Sequence, residues 1–516
     1  MGRWVLRLGL HCLRSLACLR TAFSLVRAGV IAGTVIEHQS GRPLARTVVR
    51  LQPIPRPGDS VKQSNESRSF QTRTESSGGF TFPGVPDGLY LILATREYYF
   101  PAAYGQKRPT GQGTPIEVTS DSKVFAELRM RRMGVVTGHV LDENDIGMPD
   151  IPVVAYRARF PLRSVGRGIS DDRGVYRIFN LEPGKYWVRT VSHTLDDGSG
   201  RLPTFGPEGM ETREARLQEV RVDEETAYAD VRPVPGRLFH LGGLVVCPFG
   251  SSANVTLSSE IERKSMQVAC GGSYQFEGLA PALYEVFAET KDAYSGFLEQ
   301  FVDRNMDSAS VNTGPSPRVD VEVRNGDTHS AVTTSIILMG HRQDLSDLGK
   351  DQPIATHATL PQGHWLMNAQ VGATQYVESI AGSAVARDRH ATQPSDAFDV
   401  LIAGGSTRIT VTISDRAGQL EGSVAGPDSK PIPGSPVFLW PVTEAARRSL
   451  GGAKLALADS SGYYTFTGLP PGDYRVLASF DLSEVDEEVL DAARAPVTRL
   501  DAGQRITADL PLWIAP

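Results

Sequence analysis

One spacing recurs along this chain and limits what it can fold into: a glycine followed by a tyrosine 12 residues later. It occurs as Gly78 and Tyr90, Gly174 and Tyr186, Gly272 and Tyr284, and Gly462 and Tyr474. Apolar residues alternate after each member, as in Phe80 and Phe82, then Ile92 and Ala94. The last copy reads Tyr464 and Phe466, then Val476 and Ala478. A period of two marks a strand with one buried face, and aromatic or β-branched residues suit a pleated surface. Between the two runs lie turn formers such as Leu469-Pro470-Pro471-Gly472-Asp473. Each copy therefore reads as a β-hairpin.

Glu75, Asp171 and Asp459 each stand three residues before the glycine. An acid at the first position of a turn can bond its own backbone, and glycine suits the last position. A pair such as Asp171-Asp172 would also serve a calcium loop, but the dense run of oxygen ligands used by such loops is missing. The turn is the preferred reading.

Successive tyrosines lie 96, 98 and 190 residues apart, so the last interval has room for one more copy. There Leu360-Pro361-Gln362-Gly363-His364-Trp365 parallels Leu469 to Tyr474, and Trp365, Met367 and Ala369 alternate as the tyrosine strands do. Pro353 stands where the glycine would be. Upstream of the other copies is an opening strand, Gly33-x-Val35, Gly138-x-Val140, Gly243-x-Val245 and Gly422-x-Val424. Turns at Pro43, Pro149 and Pro431 follow the first, second and last of these. About seven short strands in roughly 100 residues is the size of an immunoglobulin-like sandwich. The expected fold is all-β, in tandem antiparallel sandwich modules at 29–131, 132–235, 236–324, 325–415 (degenerate) and 416–516. Helical pieces are expected only near 210–219, 442–449 and 484–494.

The string Gly-x-Val … Pro-Leu/Ile … Asp-x-x-Gly-x-Tyr-x-Phe-x-x-Leu-Pro-Pro-Gly-x-Tyr-x-Val-x-Ala resembles the carboxypeptidase regulatory-like domain. That domain is a prealbumin-like sandwich, related to collagen-adhesin B-type repeats and starch-binding-like modules. The resemblance is sharpest at 416–480, clear at 29–95 and 134–190, recognisable at 238–290 and poor at 320–415. It implies an architecture and not a peptidase, because the resemblance is to the accessory sandwich. It is almost silent about a ligand, and the expected function is that of an exported multi-module binding or spacer protein, its partner a polysaccharide or a cell-surface protein. The expected location is secreted, periplasmic or cell-surface. Some adhesin relatives cross-link Lys to Asn. Lysine holds no constant repeat position here, so that bond is not carried over.

Few residues suggest chemistry. Cys247 and Cys270 fall in one module, on strands a sandwich can bring together. A disulfide fits export, and two buried thiols fit a reducing compartment. Tyr98, Tyr99, Tyr104 and Trp365 are the aromatics a carbohydrate-binding alternative would use. Packing within the protein is the preferred reading of the Tyr98–Tyr104 cluster. His357 and His364 flank the degenerate hairpin and read as solvated turn residues, so no metal and no cofactor is expected. Nucleophile-elbow, phosphate-loop and zinc-protease motifs are missing, so no catalytic residue is expected. A net charge of −6 with interspersed signs gives no basic face for nucleic acid. No internal stretch approaches the ~18 apolar residues of a membrane helix. Residues 1–28 carry arginines, no acids, and Cys12 and Cys18. They read as a degenerate export signal or as an extension without targeting value.

Overall fold

The computed structural model describes residues 28–54, 69–109, 111–120, 122–158, 162, 164–196, 199–248, 252–259, 262–342, 351–382 and 397–515. The N-terminal segment, with Cys12 and Cys18, lies outside the described residues.

Alternation in the sequence becomes alternation in burial. Along Gly29–Glu37 and Gly418–Ala425 every second residue is buried, which places Ile31, Val35, Leu420 and Val424 inside. Strands fold into facing sheets around five main apolar clusters, one for each repeat. In the first module, one sheet orders Gly79–Val85, Gly29–Glu37, Lys123–Arg132 and Tyr99–Phe100. The other is built on Phe70–Arg73, Val48–Pro53 and Gly88–Thr95. The fold is all-β, a tandem array of immunoglobulin-like sandwiches.

One pairing departs from the antiparallel expectation. Gly29–Glu37 runs parallel to Lys123–Arg132, and Arg318–Asn325 runs parallel to Ser406–Ser414. Shorter parallel pairings join the opening and closing segments of the other three modules. Parallel first and last strands make the chain enter at one end of a module and leave at the other. The next module can then begin at once, and Met133 alone separates the strand ending at Arg132 from the one starting at Gly134.

The fourth module starts earlier than the sequence suggested. Arg318–Asn325 pairs with His357–Thr359 and Ser406–Ser414, and Val319 lies in the fourth core. Its valines alternate, but it has no Gly-x-Val signature to mark it as an opening strand.

The aromatic that ends each repeat has the same role in all five modules. Tyr90, Tyr186, Tyr284, Trp365 and Tyr474 are at most 3% exposed. Each donates a hydrogen bond to the backbone carbonyl four residues earlier. The tyrosine hydroxyls reach Pro86 (3.0 Å), Glu182 (2.7 Å), Ala280 (3.0 Å) and Pro470 (2.6 Å). The Trp365 indole reaches Pro361 at 3.1 Å. A side chain apolar along its length and polar at its tip fills the core and closes the turn together. The degenerate copy keeps this role with a different residue.

The opening-strand glycine has an equally specific cause. A Cβ at Gly33, Gly138, Gly243 or Gly422 would lie 2.0–2.4 Å from the carbonyl oxygen of Ala126, Ala229, Ala309 or Ala508. In the second, third and fifth modules that carbonyl also accepts the hydroxyl of Tyr176, Tyr274 or Tyr464. Gly422→Ala is therefore expected to force the two backbones apart and cost about 1–3 kcal/mol. Urea unfolding followed by Trp440 and Trp513 fluorescence checks this, and an unchanged midpoint would refute it.

The repeated acids form turns. Asp171 Oδ1 accepts from the amides of Arg173 and Val175, and Asp459 Oδ1 from those of Ser461 and Tyr463. Gly78, Gly174 and Gly462 take positive φ at the ends of these turns. Helical turns occur at Thr212–Glu214, Glu444–Leu450 and Glu487–Ala492, where the sequence suggested them.

The modules do not form an open string. The fifth packs on the fourth, where helix Glu444–Leu450 lies against strands Gly363–Gln370 and Tyr376–Gly382. It also returns to the first, where Gln112 donates its amide to the Phe480 carbonyl at 2.6 Å and Arg108 faces Asp481. The second module meets it through Arg157–Glu484 and Lys185–Glu488.

Candidate functional site

The residues singled out from the sequence do not converge. Cys247 and Cys270 form a disulfide with α-carbons 5.3 Å apart, joining the end of one strand to a hairpin turn of the third module. Tyr98 is 56% exposed, but its neighbours are committed elsewhere. Tyr99 donates its hydroxyl to Glu37 at 3.1 Å, and the guanidinium groups of Arg96 and Arg132 lie 5.8 and 5.9 Å from its ring centroid. Hydrogen bonds from Ser40 and Arg132 hold the Glu37 carboxyl below its ordinary range. Beside it, Asp223 of the second module accepts from Arg131 and from the Arg132 amide, so this cluster joins the first two modules. Tyr104 is half-buried against the first core. Trp365 is 2% exposed and cannot stack on a sugar. The shared aromatic surface required by the carbohydrate alternative is therefore not formed.

His364 also departs from the sequence expectation. It does not lie on a solvated turn but in strand Gly363–Gln370, 2% exposed, where the fourth module meets the third. Its strand abuts the outer face of the hairpin Ala282–Thr290 and Tyr294–Val302. The adjoining contacts define the seam. Gln362 donates its amide to Ser295 Oγ at 3.2 Å and its side chain to the Ser295 carbonyl at 2.8 Å. Arg342 pairs with Glu289 and lies 4.2 Å over the Phe287 ring. The His364 ring meets the edge of Phe297 with centroids 6.2 Å apart.

Three carboxylates surround this imidazole. Asp399, on the strand Phe398–Ile402 of the same module, takes Nδ1 at 3.0 Å. Nε2 is thereby turned across the seam to Glu299, 3.8 Å away. Glu285 lies directly opposite Glu299 in the hairpin register and is 6% exposed. One donor atom from each of Glu285, Glu299 and His364 falls within 4.8 Å of the others. Burial alone would push the imidazole pKa down. The Asp399 hydrogen bond and the charges of Asp399 and Glu285 outweigh it and leave the group above its ordinary value. The site is one that attracts positive charge.

Sequence reading missed the glutamates and Asp399 because they belong to different strands and modules. The one available signal was Glu285, an acid directly after the core tyrosine, at a position that the neighbouring module covers. His357, by contrast, is exposed and pairs with Asp320.

No protein-family model matches the chain, and no curated protein matches it by sequence. Among solved structures it is similar to the minor pilin of Streptococcus agalactiae, at 15% identity and TM-score 0.26, covering 41% of this chain and 98% of that one. It is also similar to two B repeat units of the collagen binding protein of Staphylococcus aureus, at 11% identity and TM-score 0.15, covering 75% and 98%. The full-length major pilin of Corynebacterium diphtheriae follows the same pattern, at 9% identity and TM-score 0.18, covering 56% and 98%. Likenesses this distant leave the functional reading to the geometry of the chain itself.

Proposed function

We propose that this chain is a non-catalytic, exported scaffold of carboxypeptidase regulatory-like repeats. It holds five modules in one closed arrangement and presents their outer loops to a cell-surface partner. The observation that carries this reading is the use of polar side chains. Those that recur are occupied within their own modules, the aromatic tips on carbonyls and the aspartates on turn amides. Many that do not recur tie one module to another, as Arg157, Lys185, Arg342 and Asp223 do. The Cys247–Cys270 bond suits an oxidising compartment.

The closed arrangement is tested at Gly111, where a Cβ would lie 2.4 Å from the Phe480 carbonyl. Gly111→Trp combined with Glu484→Gln and Glu488→Gln, which removes the ion pairs to the second module, is expected to free the fifth module from the first and second. Small-angle scattering should then show a larger radius of gyration, with each module still folded. An unchanged radius would remove the closed arrangement. Turnover of an ester, peptide or glycoside panel by the native chain would remove the non-catalytic reading.

A further inference from the structure

We infer that Glu285, Glu299 and His364 bind a divalent transition-metal ion of the zinc type, which clamps the third module to the fourth. This goes beyond the scaffold reading, since the modules meet through other contacts with or without the ion.

Two independent features point to a cation. First, Glu285 and Glu299 face each other directly across neighbouring strands, with Glu285 buried. Like charges in that position repel, and at buried Glu285 there is little water to weaken the repulsion. A cation between the two carboxylates would relieve that repulsion. Second, the imidazole presented to them is oriented as a metal ligand is. Its Nδ1 is held by the Asp399 carboxylate, which fixes the ring and leaves Nε2 toward the glutamates. A carboxylate behind a ligating histidine is the usual support of such sites and raises the basicity of the ligating nitrogen.

Donor type and spacing agree with the ion. Nitrogen and carboxylate oxygen together suit zinc and its neighbours better than calcium or magnesium, which prefer all-oxygen shells. Zinc bonds of about 2.0–2.2 Å place tetrahedral donors roughly 3.3 Å apart. The donors here lie within 4.8 Å, with 3.8 Å between Nε2 and Glu299. Glutamate rotamers can take up a difference of about 1 Å without moving the strands. Three protein ligands leave one position for water. The ion would span two modules, so its effect should appear at the seam.

Glu299 is the residue to exchange, because it is exposed and its loss leaves both cores intact. Zinc chloride titrated calorimetrically into the full chain is expected to show one site per chain that Glu299→Gln weakens at least tenfold. Asp399→Asn, which removes the support of the histidine, should weaken it about 10–100-fold. Cobalt(II) should give a visible absorption band in the native chain and lose it in Glu299→Gln. Exposed pairs such as His357–Asp320 remain in both proteins, so any zinc they hold cancels. If zinc does not bind, or binds equally well to Glu299→Gln, the proposal fails.

Discussion

Replacing Tyr474 with alanine is expected to destabilise the fifth module by about 3–5 kcal/mol, the range for removing a large buried aromatic. Tyr474→Phe should cost only about 1 kcal/mol. The ring is 0% exposed and belongs to the cluster that includes Leu439, Phe466 and Leu500. Alanine leaves a cavity there, whereas phenylalanine removes only the 2.6 Å bond to Pro470. Urea unfolding read through Trp440 and Trp513, which lie in this module, separates the two variants. Equal losses would mean that the hydroxyl, and not the ring, carries the position. The damage should also reach further than a simple linear array allows, because this module touches the first, second and fourth. Trp187 and Trp365, in the second and fourth modules, report how far it spreads.

Removing the Cys247–Cys270 bond should cost about 3 kcal/mol, with the effect centred on the third module. The sequence separation is 23, and closing a loop of that size restricts the unfolded chain by about that amount. A Cys247→Ala/Cys270→Ala double variant is the appropriate test, because Cys247 packs against the third core and serine would bring a hydroxyl there. The native chain with a reducing agent should unfold at the same denaturant concentration as the variant. If reduction leaves the native midpoint where it was, the bond adds no stability.

The architecture was legible in the sequence because the signals that specify it are local. A glycine at a turn, an aromatic 12 residues on and alternation on both sides are fixed by neighbours along the chain. Even the substitution of Trp365 for tyrosine could be read, since only the apolar body and polar tip matter. Two things were hidden. The parallel first and last strands pair residues about 90 apart, such as Gly33 with Ala126, and no local pattern encodes that pairing. The seam between the third and fourth modules was hidden for a similar reason. His364 follows a Pro-Gln-Gly turn and so resembles a surface residue, until another module covers it. Glu285 and Glu299 are unremarkable alternating acids until the hairpin register sets them opposite one another. Residues whose roles lie between modules do not repeat, so the periodicity that revealed the fold passes over them.

The return of the fifth module to the first and second changes how the joints of this chain behave. In an open string each joint is its own weak equilibrium and swings independently. Here the joints form a circuit, and a module cannot swing free until contacts on both its sides have broken. While one contact is open, the others keep its halves within a few ångströms, at an effective concentration that freely tethered modules would not reach. Surface pairs such as Arg157–Glu484, individually worth about 0–1 kcal/mol, therefore act cooperatively. The chain should switch between closed and open as a unit, and ionic strength, which screens those pairs, is the variable most suited to drive the change.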